Sequence, residues 1–339
     1  MSLNFVYDPK LISHQEWLNF VQSHPKGTIF QSPQMYNLFN RAENYEPVFI
    51  CAVDNQNKIK GLMLSVIFSE KKGFLGRLTS RSIIQGGPLL TSNVLTHNFL
   101  MKYESLIKRR TVYTRLINYF DNKNQFSDID IIGYHYNKHL NYIIDLNVPE
   151  NVLWERMHNT KRRQIRRGYR RGLKVEISSG MDSFEEYYDI LFKTYSRAGQ
   201  PLQNISFFRS AIEELGKSNN LVFFSAYYNF KLVGFRIALI FNGIMHDWYA
   251  GDLNEARDKY TNDILVWEAL KWGNNNNLKL FDFGGAGEPG KEYGVREFKK
   301  KFGGKLVSYG NFLKIHQSIK YNILKLMLPM YKFYKKKLG

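Results

Sequence analysis

A chain of 339 residues exceeds the ~250 to 300 at which a single core usually stops growing, so two domains are expected. Hydrophobic residues at 44% and aromatics at 15% exclude a disordered chain, and 48 Lys plus Arg against 30 Asp plus Glu, a net charge of +18, select an anionic partner. The single cysteine, Cys51, excludes an internal disulfide and suits a reducing cytoplasm; within the apolar run VFICAV it reads as a buried strand thiol.

The opening MSLNFVYDPK lacks the basic-then-apolar pattern of a signal peptide. No run approaches the ~20 apolar residues that span a bilayer. A cytoplasmic protein is therefore expected, soluble or peripheral at the inner membrane face. HQEWLNFVQ and SPQMYNLFNRA read as helices, and VFICAVDNQNKIKGLMLSVIF from Val48 as a strand, polar turn and second strand. Residues 94–120 carry a long amphipathic helical pattern, while DIDIIG and NYIIDL read as strands.

In the second half, residues 156–174 hold nine Lys or Arg and no acid. As a helix this segment sets Arg162, Arg166 and Arg170 in one stripe and Arg163, Arg167 and Arg171 in the next. Guanidiniums so crowded repel one another, and phosphate groups would offset that cost. Two helices follow, DSFEEYYDILFKTYSRAG and ISFFRSAIEELGK, and then VFFSAYYNFKLVGFRIALIF from Val222. That segment repeats the earlier hairpin: Ala52, Lys58 and Gly61 recur as Ala226, Lys231 and Gly234. The repetition implies duplication, hence two similar α/β domains with mixed sheets, divided at residues 150 and 151.

GIMHDWYAG then reads as a strand, NDILVWEALKWG as a helix capped by Thr261 or Asn262, and LKLFDF as another strand. After it, Gly285 to Lys291 spell G-x-x-x-x-G-K, but Glu292 stands where a phosphate-binding loop needs Ser or Thr. The stretch reads instead as a mobile glycine-rich exit where a substrate can approach the backbone. Residues 315–339 place apolar residues at helical spacing beside Lys332, Lys335, Lys336 and Lys337, an amphipathic helix suited to an anionic membrane surface. Asp247, Asp282 and Glu288 fall at predicted strand ends and are candidate site acids. His135 and His139 stand four apart without a carboxylate motif, so no metal site is expected.

Taken together, LWERMHNTKRRQIRRGYRRGLKV, DWYAG, FDFGG and GVREFKKKFGG resemble, in order and spacing, the FemABX peptidyltransferases and their wider GNAT-superfamily acyltransferase relatives. The likeness runs from Asn151 to about Lys314, with a fainter echo in IFQSPQMYNLF. It implies tandem GNAT-like domains over residues 1–150 and 151–314, and transfer of an acyl or aminoacyl group to an amine. The implied acceptor is a phosphate-bearing or lipid-linked envelope precursor, such as a peptidoglycan stem peptide or an amino sugar. The donor enters as a co-substrate, aminoacyl-tRNA or acyl-CoA, with no bound cofactor. Phe298 and Lys299 match the family's Phe-Lys pair, so Lys299 is expected to contact the donor or the developing oxyanion, and the strand-end acids Asp247 and Asp282 are the other catalytic candidates. Phe298, Tyr249, Arg197, Arg163, Arg166, Arg167 and Arg170 are the expected donor and substrate contacts.

Two departures qualify the likeness. Phe39 or Asn40 stands where the Fem motif has a diphosphate-binding lysine, so Arg41 or Arg197 would have to substitute. DLNEARDKYTN lacks the glycines of a coenzyme A pyrophosphate loop. Two further functions therefore stand beside aminoacyl transfer: an acyl-CoA-dependent N-acyltransferase of polysaccharide synthesis, and a non-catalytic binder of RNA or another anionic polymer.

Overall fold

A computed structural model describes residues 3–70, 74–91, 94–121, 125–126, 129–181 and 183–327. The chain divides into two compact units. Among the described residues one comprises 3–138 with 309–327, the other 139–308.

The first unit opens with β1 (Asn4–Val6) and α1 (His14–Ser23), whose N-cap Ser13 accepts the Glu16 amide at 3.1 Å. Ser32 caps α2 (Pro33–Arg41) in the same way, with Pro33 in the first turn. The hairpin β2 (Tyr45–Val53) and β3 (Ile59–Phe68) follows, then α3 (Phe74–Thr79), β4 (Arg81–Gln85), β5 (Leu89–Leu90), α4 (Thr96–Ile107), β6 (Tyr113–Ile117) and β7 (His135–Asn137). The predicted long helix over 94–120 is thus cut short. Helix α4 ends at Ile107, and Tyr113–Ile117, rich in β-branched and aromatic side chains, pairs as a strand beside β4. The described part of DIDIIG, residues 129–133, is a turn and not a strand either. Ile129 is buried, but Gly133 donates to the Asp130 carbonyl at 2.8 Å in a turn. A strand returning from far along the sequence, Asn311–Ile315, inserts between β6 and β7.

The second unit comprises β8 (Leu140–Asp145), α5 (Glu150–Arg156), α6 (Asn159–Arg170), β9 (Lys174–Ser178), α7 (Glu185–Arg197), α8 (Ile205–Ala211), β10 (Leu221–Tyr228), β11 (Lys231–Phe241), β12 (Ile244–Asp252), α9 (Thr261–Asn275), β13 (Leu280–Gly285), α10 (Gly294–Lys300) and β14 (Lys305–Ser308). Its sheet runs β14-β8-β13-β12-β11-β10-β9, mixed because β12 and β13 pair in parallel. Fully buried Phe281, Ile264, Leu270 and Phe224 lie in its core.

The duplicated hairpins match in register. Ala52 faces Gly61 and Ala226 faces Gly234, each with a bulge at the next residue. The units nevertheless meet at 138 and 139 rather than 150 and 151, because β8 is paired between β14 and β13 of the second sheet. Residues 309–314 likewise leave the second unit for the first. The cap expected at α9 is absent too: Tyr260 occupies that position in left-handed conformation, Thr261 donates to Ala256, and Asn262 turns to Arg236. Beyond the returning strand, a helix (α11) occupies 318–327; Lys332, Lys335, Lys336 and Lys337 lie outside the described residues.

Candidate functional site in the second unit

Strands β12 and β13 pair only over Ile244–Leu280, Met245–Phe281 and His246–Asp282, although both run on. Two irregularities open this fork. Trp248 is an extra residue in β12 where it pairs with β11, and Gly284 in β13 is left-handed at φ 73°. The carbonyls that β13 no longer shares with β12 need donors, since buried backbone groups do not stay unpaired. Lys299 of α10 supplies them: its Nζ donates to the Phe283 carbonyl and, at 3.0 Å, to that of Gly285. The side chain is only 8% exposed, and burial lowers its pKa to about 8; Asp247 and Asp282 pull it back up and Arg236 pushes it further down.

Both predicted acids lie beside this lysine, Asp282 buried and Asp247 mostly so, each with a partner. Asp247 forms an ion pair with Arg236 of β11, which is 2% exposed and also donates to Asn262 Oδ1 at 2.7 Å. Asp282 accepts the Gly284 amide at 2.8 Å and faces His246 Nδ1 at 3.3 Å. Such charges persist in a core only when paired, and removing either partner leaves the other stranded. Lys299, Asp247 and Asp282 thus form one electrostatic cluster. Sequence reasoning missed Arg236, Asn262 and His246. The signal for Arg236 was a lone cation inside the apolar strand LVGFRIALIF.

Phe298 sits beside a second buried pair. Lys161 of α6 bonds Asp263 of α9, and its ammonium lies 4.2 Å from the Phe298 ring. Helix α6 is therefore bolted to α9 by one cation, which leaves its arginines outward. Arg163, Arg166, Arg167 and Arg170 are all exposed and line a surface groove with Tyr169. Arg166 stacks on Trp154 at 5.2 Å, and Arg167 donates to the Tyr260 hydroxyl at 3.1 Å. Both contacts use neutral groups, so the cationic charge is not cancelled there.

Arg197 and Tyr249 lie apart from the Lys299 cluster. Arg197 is held by Asp252, 2.8 Å from its carboxylate, and lines a cavity with Glu186, Asp189 and Lys193. Tyr249 packs among Phe208, Trp248 and Tyr195 at 4.8, 5.0 and 6.0 Å. Tyr195 connects the two regions, for burial and then the charge of Asp247 raise the pKa of its hydroxyl.

The glycine-rich loop is not the loose exit expected from sequence. Arg296 of α10 donates from Nε to Ala286 at 2.8 Å, from Nη1 to Lys291 at 3.0 Å, and from Nη2 to Glu288. One guanidinium thus grips three loop carbonyls. Glu288 is outside the buried cluster, paired with Lys291 at the surface. Among the described residues no group of three or more His, Cys, Asp or Glu is placed to hold a metal ion.

Residues 155–300 match the family described as Acetyltransferase (GNAT) domain. No curated protein matches the sequence. Among solved structures, FemX aligns with a TM-score of 0.70 at 15% identity, covering 96% of this chain and 100% of that one. A tandem GNAT protein from the clavulanic acid biosynthesis pathway aligns at 0.59 with 10% identity, over 93% and 99% of the two chains. The C-terminal domain of a putative lysylphosphatidylglycerol synthetase from Agrobacterium fabrum aligns at 0.58 with 13% identity, over 92% and 96%. The match of residues 155–300 to the GNAT acetyltransferase model falls within the second unit, and the chain as a whole shares with FemX and the tandem GNAT protein a fold of two mixed α/β sheets.

Proposed function

We propose that this protein transfers an acyl or aminoacyl group from an activated ester or thioester to an amine on a cell-envelope precursor, a peptidoglycan stem peptide or an amino sugar. The observation that carries this reading is the buried ammonium of Lys299 in the open fork of β12 and β13, with Asp247 and Asp282 beside it. In the reaction the amine nitrogen bonds to the carbonyl carbon, the C–O or C–S bond breaks, and the proton lost by the amine ends on the leaving group. Negative charge passes through the carbonyl oxygen. An ammonium has three N–H donors, and the Phe283 and Gly285 carbonyls take two. The third serves the oxyanion, an interaction worth roughly 3 to 4 kcal/mol for one well-placed donor.

The exposed arginines of α6 give an aminoacyl-tRNA donor or a diphosphate-bearing acceptor a surface to meet. These substrates belong to the cytoplasm, where the reduced, buried thiol of Cys51 also fits. The family match supports acyl-CoA as a second donor. Against its usual mode, residues 254–259 form a short helical turn without glycine and carry the acids Glu255 and Asp258.

The deciding experiment incubates the protein with charged tRNA or an acyl-CoA panel, plus precursor or amino-sugar acceptors, and follows mass gain on the acceptor. Transfer from tRNA that falls about 100-fold or more in Lys299→Met is expected. Transfer from coenzyme A thioesters alone would overturn the tRNA donor. Binding of RNA without transfer from any donor would replace the enzyme with an anionic-polymer binder.

A further inference from the structure

Helix α11 is fixed at its start to the first unit. His316 and Gln317 both donate amides to the Val112 carbonyl at 2.9 and 3.1 Å, and the Gln317 side chain donates to the Thr111 carbonyl at 3.0 Å. Its inner face packs through Tyr321, whose ring meets Tyr113 edge-on at 5.5 Å. A helix merely docked on a domain needs only that face. Yet the opposite face is apolar and bare: Ile319 is 79% exposed, Ile323 51%, Leu326 76% and Met327 58%. Their spacing of four, seven and eight residues makes one stripe, pointing away from Tyr321.

The charges around this stripe favour one kind of partner. Lys320 and Lys325 belong to the helix itself, and the sequence beyond it, LPMYKFYKKKLG, holds four lysines, three aromatic residues and no acid. A second copy of the chain would bring two such basic segments together, whereas an anionic lipid surface neutralises them. Aromatic and lysine side chains are also the ones that settle at the boundary between headgroups and acyl chains. No described helix is long and apolar enough to cross a membrane, so the contact lies in the interface plane. We propose that α11 seats the first unit on an anionic bilayer, its apolar stripe toward the acyl chains and Lys320 and Lys325 toward the headgroups. This goes beyond the transfer chemistry and does not depend on it.

The test is co-flotation of the full chain with vesicles of phosphatidylcholine alone or mixed with phosphatidylglycerol. Capture by the anionic vesicles is expected, weakening as salt rises, with on the order of tenfold less on neutral ones. The triple variant I319D/I323D/L326D should lose about tenfold or more with an unchanged circular dichroism spectrum. Charge reversal in K320E/K325E should weaken capture as well. Equal capture by neutral vesicles, no capture, or capture untouched by either variant would overturn the proposal. So would a concentration-dependent dimer that I319D/I323D/L326D abolishes in the absence of lipid capture.

Discussion

Lys299 is held at a cost that has a measurable pH signature. Its pKa is about 8 in the folded protein against a reference of 10.5, so between those values the unfolded chain binds more protons. The penalty for burying the ammonium is fully present below pH 8, and stability rises with pH until about 10.5. Urea titrations should show wild type gaining on the order of 3 kcal/mol relative to Lys299→Met across that window. Transfer should fall over the same range as the ammonium is lost. Arg236 makes the complementary case: Arg236→Met leaves the mostly buried Asp247 without its ion-pair partner, and an unfolding free energy lower by about 3 kcal/mol is expected. At this scale the sequence was partly legible. Asp247 and Asp282 stood out at strand ends and Lys299 in a recognisable motif. Arg236 did not, because its partner lies on the neighbouring strand, and the bulge at Trp248 helps decide which β12 side chain it meets.

Helix α6 shows how an element with so much charge can still be placed. One buried lysine anchors it, and Gly168 allows its backbone to close on the segment before α9: a Cβ there would stand 2.4 Å from both the Lys259 carbonyl and the Ile264 side chain. Gly168→Ala should therefore destabilise the protein by roughly 1 to 3 kcal/mol, read as a lower midpoint in chemical denaturation. Replacing exposed Arg163 and Arg170 with Gln should stay within about 0.5 kcal/mol. The basic run was legible as a helix from its spacing. What spacing could not supply was the break at Met157 and His158 that separates α5 from α6, or the switch from helix to strand after Ile107. Both depend on what each segment packs against, and periodicity within one segment does not contain that.

For the whole molecule, the duplicated hairpin disclosed two α/β units, yet the border came out twelve residues late because β8 is defined by partners more than a hundred residues away. The border can be tested directly. A fragment of residues 139–308 should give a cooperative thermal transition, while 151–314 should not, because it lacks the strand that joins β14 to β13. Calorimetry of the two fragments checks this. The returning strand Asn311–Ile315 has a further consequence, in time. Synthesis at ~5 to 20 residues per second separates residue 138 from residue 315 by roughly 10 to 35 s. During that interval β7 has no neighbour in its sheet. The unit begun first on the ribosome is thus the last to be completed, and the nascent chain must keep an unpaired strand edge from misassociating until its final segment emerges.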